Sequence, residues 1–354
     1  MPKLRRFLIV GICTVILITA CPRSPDSLES ERTITTNPES CRLVEHEVGQ
    51  TEVCGQPQKV AALHPRILDI ILALGVQPAG FAQSANPQLQ TYDNPEEQIP
   101  YLGKWITTEP MSLGTDSSPS LERLTLLQPD LILGEPWQGN EYSLLTQIAP
   151  TLLFSDAKNP AQIQSWQQDI AEIARALGRE EQLDELLAAH EARIAQARAA
   201  LQPVLQAYPK VFLMSSNLNA TQVESQPESA VGRLLKEIGF EIIRPPGFPE
   251  RRVSISQEIV PQIETDLIIV TTWDDNLTLN SEQTMPQATM QKKWANNPLL
   301  NSMSVFQQGR VFFVDYYLWA GVSRGPLSDQ LILEALPDLL LPSVQAVKKA
   351  QSGG

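Results

Sequence analysis

Histidine is scarce in this chain of 354 residues: His46, His64 and His190 are all there is. Three are too few for the multi-histidine sites that transport zinc or manganese. His46 and His190 read as structural, and His64, just before Pro65, as a loop or wall residue. Positive charge is also short. Lys and Arg number 27 against 40 Asp and Glu, a formal net charge of -13. That is a poor match to nucleic acid, whose binding rests on cations neutralising phosphates, and to anionic lipid. The sequence has no G-x-S-x-G elbow, no H-E-x-x-H, no G-x-G-x-x-G and no Walker A motif, which weighs against an exported α/β enzyme. Its apolar runs are shorter than the ~20 residues a helix needs to span a bilayer.

What is present begins with a leader. Lys3, Arg5 and Arg6 precede an apolar run from Phe7 to Thr19, which ends in Ile18-Thr19-Ala20-Cys21. This reads as a bacterial lipoprotein signal, residues 1–20, with Cys21 lipidated as the new N-terminus. A plain signal peptide or an uncleaved anchor is the alternative. The chain is then exported and held at the outer face of the cytoplasmic membrane or in the periplasm by its lipid alone. Residues 21–40 are polar, rich in Pro and Ser, and read as a flexible tether. Cys41 and Cys54 remain as an even pair in an exported protein, with Gly49 between them as if in a small hairpin. A disulfide is expected; a metal site of Cys41, His46 and Cys54 is the rival, with no fourth ligand evident.

From residue 56 on, short apolar runs alternate with helical patterns, which predicts an α/β fold. Residues 41–180 read as an N-terminal lobe and 208–346 as a C-terminal lobe. Between them, residues 181–207 form one long helical pattern, suited to a rigid strut between lobes. The lobes echo each other. Ser120-Leu121-Glu122 precedes Asp130-Leu131-Ile132-Leu133, and Ser256-Gln257-Glu258 precedes Asp266-Leu267-Ile268-Ile269. Each reads as a Ser-capped helix with Glu in its first turn, then a strand opened by Asp.

These stretches, with Ile170-Ala171-Glu172-Ile173-Ala174, Trp294-Ala295-Asn296-Asn297-Pro298-Leu299, Gly309-Arg310-Val311-Phe312 and Tyr316-Tyr317-Leu318-Trp319 followed by Arg324-Gly325-Pro326, resemble the substrate-binding proteins of ABC importers for iron-siderophores, haem and cobalamin. The last segment resembles the iron-siderophore branch. The resemblance implies two Rossmann-like lobes joined by a long rigid α-helix, with a ligand cleft between them. It implies a monomer that binds rather than catalyses, carries no cofactor, captures a ferric siderophore and hands it to an ABC importer permease. Glu122 and Glu258 would dock on the permease, as a carboxylate in a helix's first turn can pair with arginine. Haem or cobalamin binding is the nearest rival, and an adhesive surface lipoprotein a distant one.

A ferric siderophore arrives with its iron already coordinated, so the cleft needs cations and aromatic faces rather than iron ligands. Loops after strands, where α/β sheets bind ligands, offer Arg66, Trp137, Trp273, Tyr316, Tyr317, Trp319 and Arg324. Lys104 and Trp105 stand where an arginine is common in such proteins, which leaves the first-lobe contact open.

Overall fold

The structure, a computed structural model, describes residues 40–83, 89–154, 166–219, 221–248, 253–273, 286–319 and 324–345, with backbone alone at 137–139. The leader, most of the tether and Cys21 lie outside the described residues. Among the described residues, no helix is long and apolar enough to cross a membrane.

Strands β1 (Cys41–His46) and β2 (Gly49–Cys54) pair antiparallel, with Cys41 opposite Cys54 and His46 opposite Gly49. Gly49 takes φ +133°, which the tight turn requires and a side chain would resist. The two cysteine sulfurs lie 2.00 Å apart. His46, the third group of the alternative metal site, has its Nε2 at 2.9 Å from Thr51 Oγ1.

The first lobe continues with β3 (Val60–Ala62), α1 (Pro65–Ala73), β4 (Gly80–Phe81), α2 (Pro95–Gln98), β5 (Met111–Ser112), the small pair β6 (Gly114–Thr115) and β7 (Ser118–Pro119), α3 (Leu121–Leu127), β8 (Leu131–Gly134), α4 (Tyr142–Leu145), β9 (Thr151–Leu153) and α5 (Trp166–Leu177). Its sheet runs β5-β4-β3-β8-β9, all parallel. Both faces are covered, so β8 is one continuous buried run. Val60, Ala62, Leu131 and Leu133 pack on one face, Ala61 and Ile132 on the other, the alternation of a strand.

The strut runs as α6 (Glu180–Ala200) and then a short α7 (Gln202–Ala207). The expectation of unbroken helix over 181–207 fails at Pro203, which has no N–H to give back and crowds the preceding turn. The helix serves both lobes. Leu183, Leu186 and Leu187 pack against the first core, while Ile194 and Ala197 belong to the second.

The second lobe comprises β10 (Lys210–Asn217), β11 (Gln222–Ser225), α8 (Ala230–Ile238), β12 (Glu241–Ile242), β13 (Val253–Ser256), β14 (Leu267–Trp273), α9 (Pro286–Asn296), α10 (Pro298–Asn301), α11 (Ser304–Gln307), β15 (Val311–Asp315), α12 (Tyr316–Trp319) and α13 (Pro326–Leu340). The sheet runs β13-β11-β10-β14-β15, with β12 parallel to the start of β10. The expected helix at Gln257 is instead a tight 3-10 turn, Gln257–Gln262, with Pro261 inside it.

The repeat is real in three dimensions. β4-β3-β8-β9 and β12-β10-β14-β15 share order and direction. The paired aspartates do one job in both. Asp130 accepts the backbone N–H of Gln58 at 2.7 Å and of Lys59 at 3.0 Å; Asp266 accepts that of Lys210 at 2.9 Å. Each carboxylate ties the start of a lobe's third main strand to the start of its first.

Candidate ligand cleft

In an open parallel sheet, ligands meet the carboxyl ends of the strands where the strand order reverses. Here those points follow β3 and β8 in the first lobe, and β10 and β14 in the second. The structure fills them differently.

After β3 and β8 lies a buried ionic cluster. Arg66 Nε donates to Glu135 at 2.7 Å, Nη1 to Asp169 at 2.9 Å, and Nη2 to the Phe154 carbonyl at 2.7 Å. Burial works to raise Glu135, but its neighbours His64 and Arg66 outweigh it and hold the carboxyl at about 2. His64 caps α1, its Nδ1 facing Arg66 N at 3.2 Å and Glu135 at 2.9 Å. Arg66 is 3% exposed. The expectation that it meets the ligand is therefore corrected: its guanidinium is turned inward and its donors hold the lobe together.

After β14 and β15 lies an aromatic run. Trp273 and Tyr316 pack with ring centroids 4.6 Å apart and planes tilted by 44°, and Tyr316 meets Tyr317 edge-on at 5.9 Å. Asp315 fixes this turn, its Oδ1 accepting Tyr317 N at 2.8 Å and Leu318 N at 3.2 Å. Tyr317 is 40% exposed, whereas Trp319, in the same turn, is 5% exposed and packs into the second core. The expectation for Trp319 is corrected accordingly: two residues along the helix, about half a turn, put it on the inner side, away from Tyr317.

Tyr101, which the sequence reading passed over, crosses from the first lobe. Burial first, and then the Asp315 carboxylate of the second lobe, push its phenol well above the ordinary range. Nearby, Lys104 sits over the Trp105 ring at 4.3 Å. Arg324 is half-buried just before α13 and acts on the buried Asp329. The side chain of Trp137 lies outside the described residues. Glu135, Asp169, Tyr101 and Asp315 carried no motif. The one signal was positional, a charged Glu135 and Asp315 directly closing apolar strands.

Glu122 and Glu258 are both exposed, each beside its Ser cap. Ser120 Oγ accepts from Arg123 N at 3.3 Å and Ser256 Oγ from Glu258 N at 3.4 Å. Arg123, a rival partner for Glu122, turns away to the carbonyls of Leu89 and Ser112, at 2.8 and 3.0 Å.

Two sheets with matching parallel cores, a shared helix and an aromatic run at the strand ends of the second lobe define a two-lobed binding protein. The family profile of the periplasmic binding proteins matches residues 60–318, and the chain belongs to that family. It is a family of substrate-binding proteins, not enzymes. The Fe(3+)-citrate-binding protein YfmC of Bacillus subtilis is 25% identical over 319 residues, 90% of this chain and 91% of that protein. The ferric-anguibactin-binding protein FatB of Vibrio anguillarum is 24% identical over 301 residues, 82% and 85% of the two chains. The crystal structure of Staphylococcus aureus SirA with staphyloferrin B matches the fold with a TM-score of 0.66 at 19% identity, covering 84% of this chain and 98% of that one.

Proposed function

We propose that this chain captures a ferric siderophore between its lobes and delivers it to the permease of an ABC importer. The observation that carries this reading is the Trp273-Tyr316-Tyr317 run at the strand ends of the second lobe. Flat apolar faces suit a complex whose iron is already wrapped in its own ligands. The relatives named for ferric citrate and ferric anguibactin support the same class. Tyr316, Tyr317, Trp273 and Arg324 are the contacts offered by the second lobe, and Trp137 by the first. Glu122 and Glu258 are the docking points on the permease. Cys21 carries the lipid, and Cys41 and Cys54 are oxidised together after export.

The test is a titration of the purified chain with a panel of ferric siderophores, read by tryptophan fluorescence. Saturable quenching by at least one complex is expected. A Soret shift on mixing with haem, with no quenching by any siderophore, would overturn the reading. Intact mass before and after reductant checks the disulfide by a gain of two hydrogens, and labelled palmitate checks Cys21.

A further inference from the structure

Among the described residues, two helices give buried or packed side chains to both cores. One is the strut α6; the other is α13. Leu327, in the first turn of α13, is buried in the core of the first lobe, whereas Ile332, Leu333 and Leu336 of the same helix belong to the second. Two first-lobe side chains hold that turn. The Asp69 carboxylate, fully buried on α1, accepts Leu327 N at 2.8 Å on one oxygen, and Ser328 N at 2.8 Å and Oγ at 2.6 Å on the other. Trp166, at the head of α5, donates its indole N–H to Asp329 Oδ2 at 2.8 Å. Apolar packing, a cap and an indole bond thus reach one turn of the second lobe from the first. The chain that enters this turn is the one that lines the cleft. Arg324 directly precedes Gly325, where α13 opens, and the Tyr316–Trp319 turn packs against α13 a few residues upstream.

We infer that the first turn of α13 is a clasp between the lobes and that Asp69 is a positioning residue for the ligand: without touching it, Asp69 holds Tyr316, Tyr317 and Arg324 at the angle to the first lobe that the ferric complex requires. The inference rests on the ferric-siderophore reading, which supplies the contacts being positioned. Asp69 has no exposed surface, so it acts only through the turn it caps. Lobes that share little interface move against one another by default. A single connecting helix leaves them free to twist about its axis; a second tie beside it removes that freedom. The tie holds because the capped N–H groups have no water to turn to, and leaving them unpaired in that site is costly. Take away the carboxylate, and those groups recover a partner by parting the lobes. A cleft that is competent for only a fraction of the time binds with its affinity cut by that fraction, a cost that a preformed cleft avoids.

The experiment compares wild type, Asp69→Asn, Ser328→Ala and Leu124→Ala as purified full chains, under conditions in which each is folded. Leu124→Ala is the control for lost stability, a cavity in a core that the first lobe builds alone. Stopped-flow tryptophan quenching with ferrichrome, ferric dicitrate and ferric enterobactin gives association and dissociation rates for each complex that binds. Asp69→Asn is expected to lower affinity about tenfold, through the association rate, with dissociation nearly unchanged, as fractional competence demands. Ser328→Ala removes the hydroxyl bond and keeps both N–H bonds to Asp69, and is expected to lower affinity about threefold by the same route. Leu124→Ala is expected to match wild type. An affinity for Asp69→Asn within about twofold of wild type, a loss carried by the dissociation rate, or an equal loss in Leu124→Ala overturns the inference and leaves the siderophore reading standing. If Asp69→Asn does not fold, Ser328→Ala takes its place throughout. If wild type ignores all three complexes, the siderophore reading fails, and small-angle X-ray scattering of the ligand-free chains decides the clasp. A larger radius of gyration for Asp69→Asn than for wild type and Leu124→Ala upholds it; equal radii overturn it.

Discussion

Asp69 and Ser328 stand 259 residues apart in the chain, yet the Asp69 carboxylate accepts both the backbone N–H of Ser328, at 2.8 Å, and its hydroxyl, at 2.6 Å. The other oxygen accepts Leu327 N at 2.8 Å. Helix α13 opens at Gly325, which has no side chain to cap it. A helix of the first lobe supplies the missing cap, in a site closed to water. Gly325 is required by proximity: a Cβ there would lie 2.3 Å from Asp69 Oδ1.

Asp69→Ala should therefore lower stability by about 2–4 kcal/mol, since it strands two buried N–H donors and a hydroxyl. Gly325→Ala should also destabilise, by driving the same carboxylate from its place. Urea unfolding with an unchanged slope and a lower midpoint checks both.

Removal of Arg66 should cost about 3–5 kcal/mol, because Arg66→Met leaves Glu135 and Asp169 buried without their cation. Affinity for the ferric ligand, measured on the folded protein, should change little. A large loss of affinity with wild-type stability would return Arg66 to the cleft. The same cluster sets an acid limit. Glu135 sits at about 2 in the fold and near 4.5 when free. Its contribution is full above pH 4.5 and fades as pH falls from there toward 2.

His190 packs edge-on against Trp166, centroids 4.9 Å apart, and burial, helped by Arg193, lowers it to about 4. Asp329 lies 3.8 Å away, but burial raises that carboxyl to about 6. It is mostly protonated over the range in which His190 titrates, and so offers little countercharge. The unfolded histidine takes its proton near pH 6.5. Its share of stability, up to ~3 kcal/mol, is thus full above pH 6.5 and lost as pH falls to 4. Melting temperatures of wild type and His190→Gln, compared between pH 4 and 8, should converge toward the acid end.

Glu122→Ala with Glu258→Ala should abolish uptake of the ferric ligand by cells while leaving its affinity for the purified protein within about twofold. Either single change should give a partial defect. Transport assays beside fluorescence titration separate docking from binding; a matching loss of affinity would sink the docking role.

Much of the frame was readable in the sequence. The apolar run at Leu131 and the one at Leu267 announced buried parallel strands, and the Ser-to-Asp spacing announced the repeat. Local chemistry explains that success, for caps, strand periodicity and Pro or Gly stops act within a few residues. The site was less legible because its parts meet only through tertiary contact. Arg66 read as a ligand contact until Glu135 and Asp169 closed on it from 69 and 103 residues away. Trp319 and Tyr317 lie about half a helical turn apart, on opposite sides, and only the packed core tells inside from outside. Tyr101 lies in a loop with no periodicity, and its partner is in the other lobe.

The strut α6 gives its first half to one core and its second half to the other. No cut through it leaves two complete lobes: whichever fragment keeps the helix keeps an orphaned apolar stripe, and the other loses a wall. The two lobes should therefore melt together, in a single transition. A ligand gripping one lobe stabilises the whole chain, and a lesion in either lobe is felt as instability at the far one.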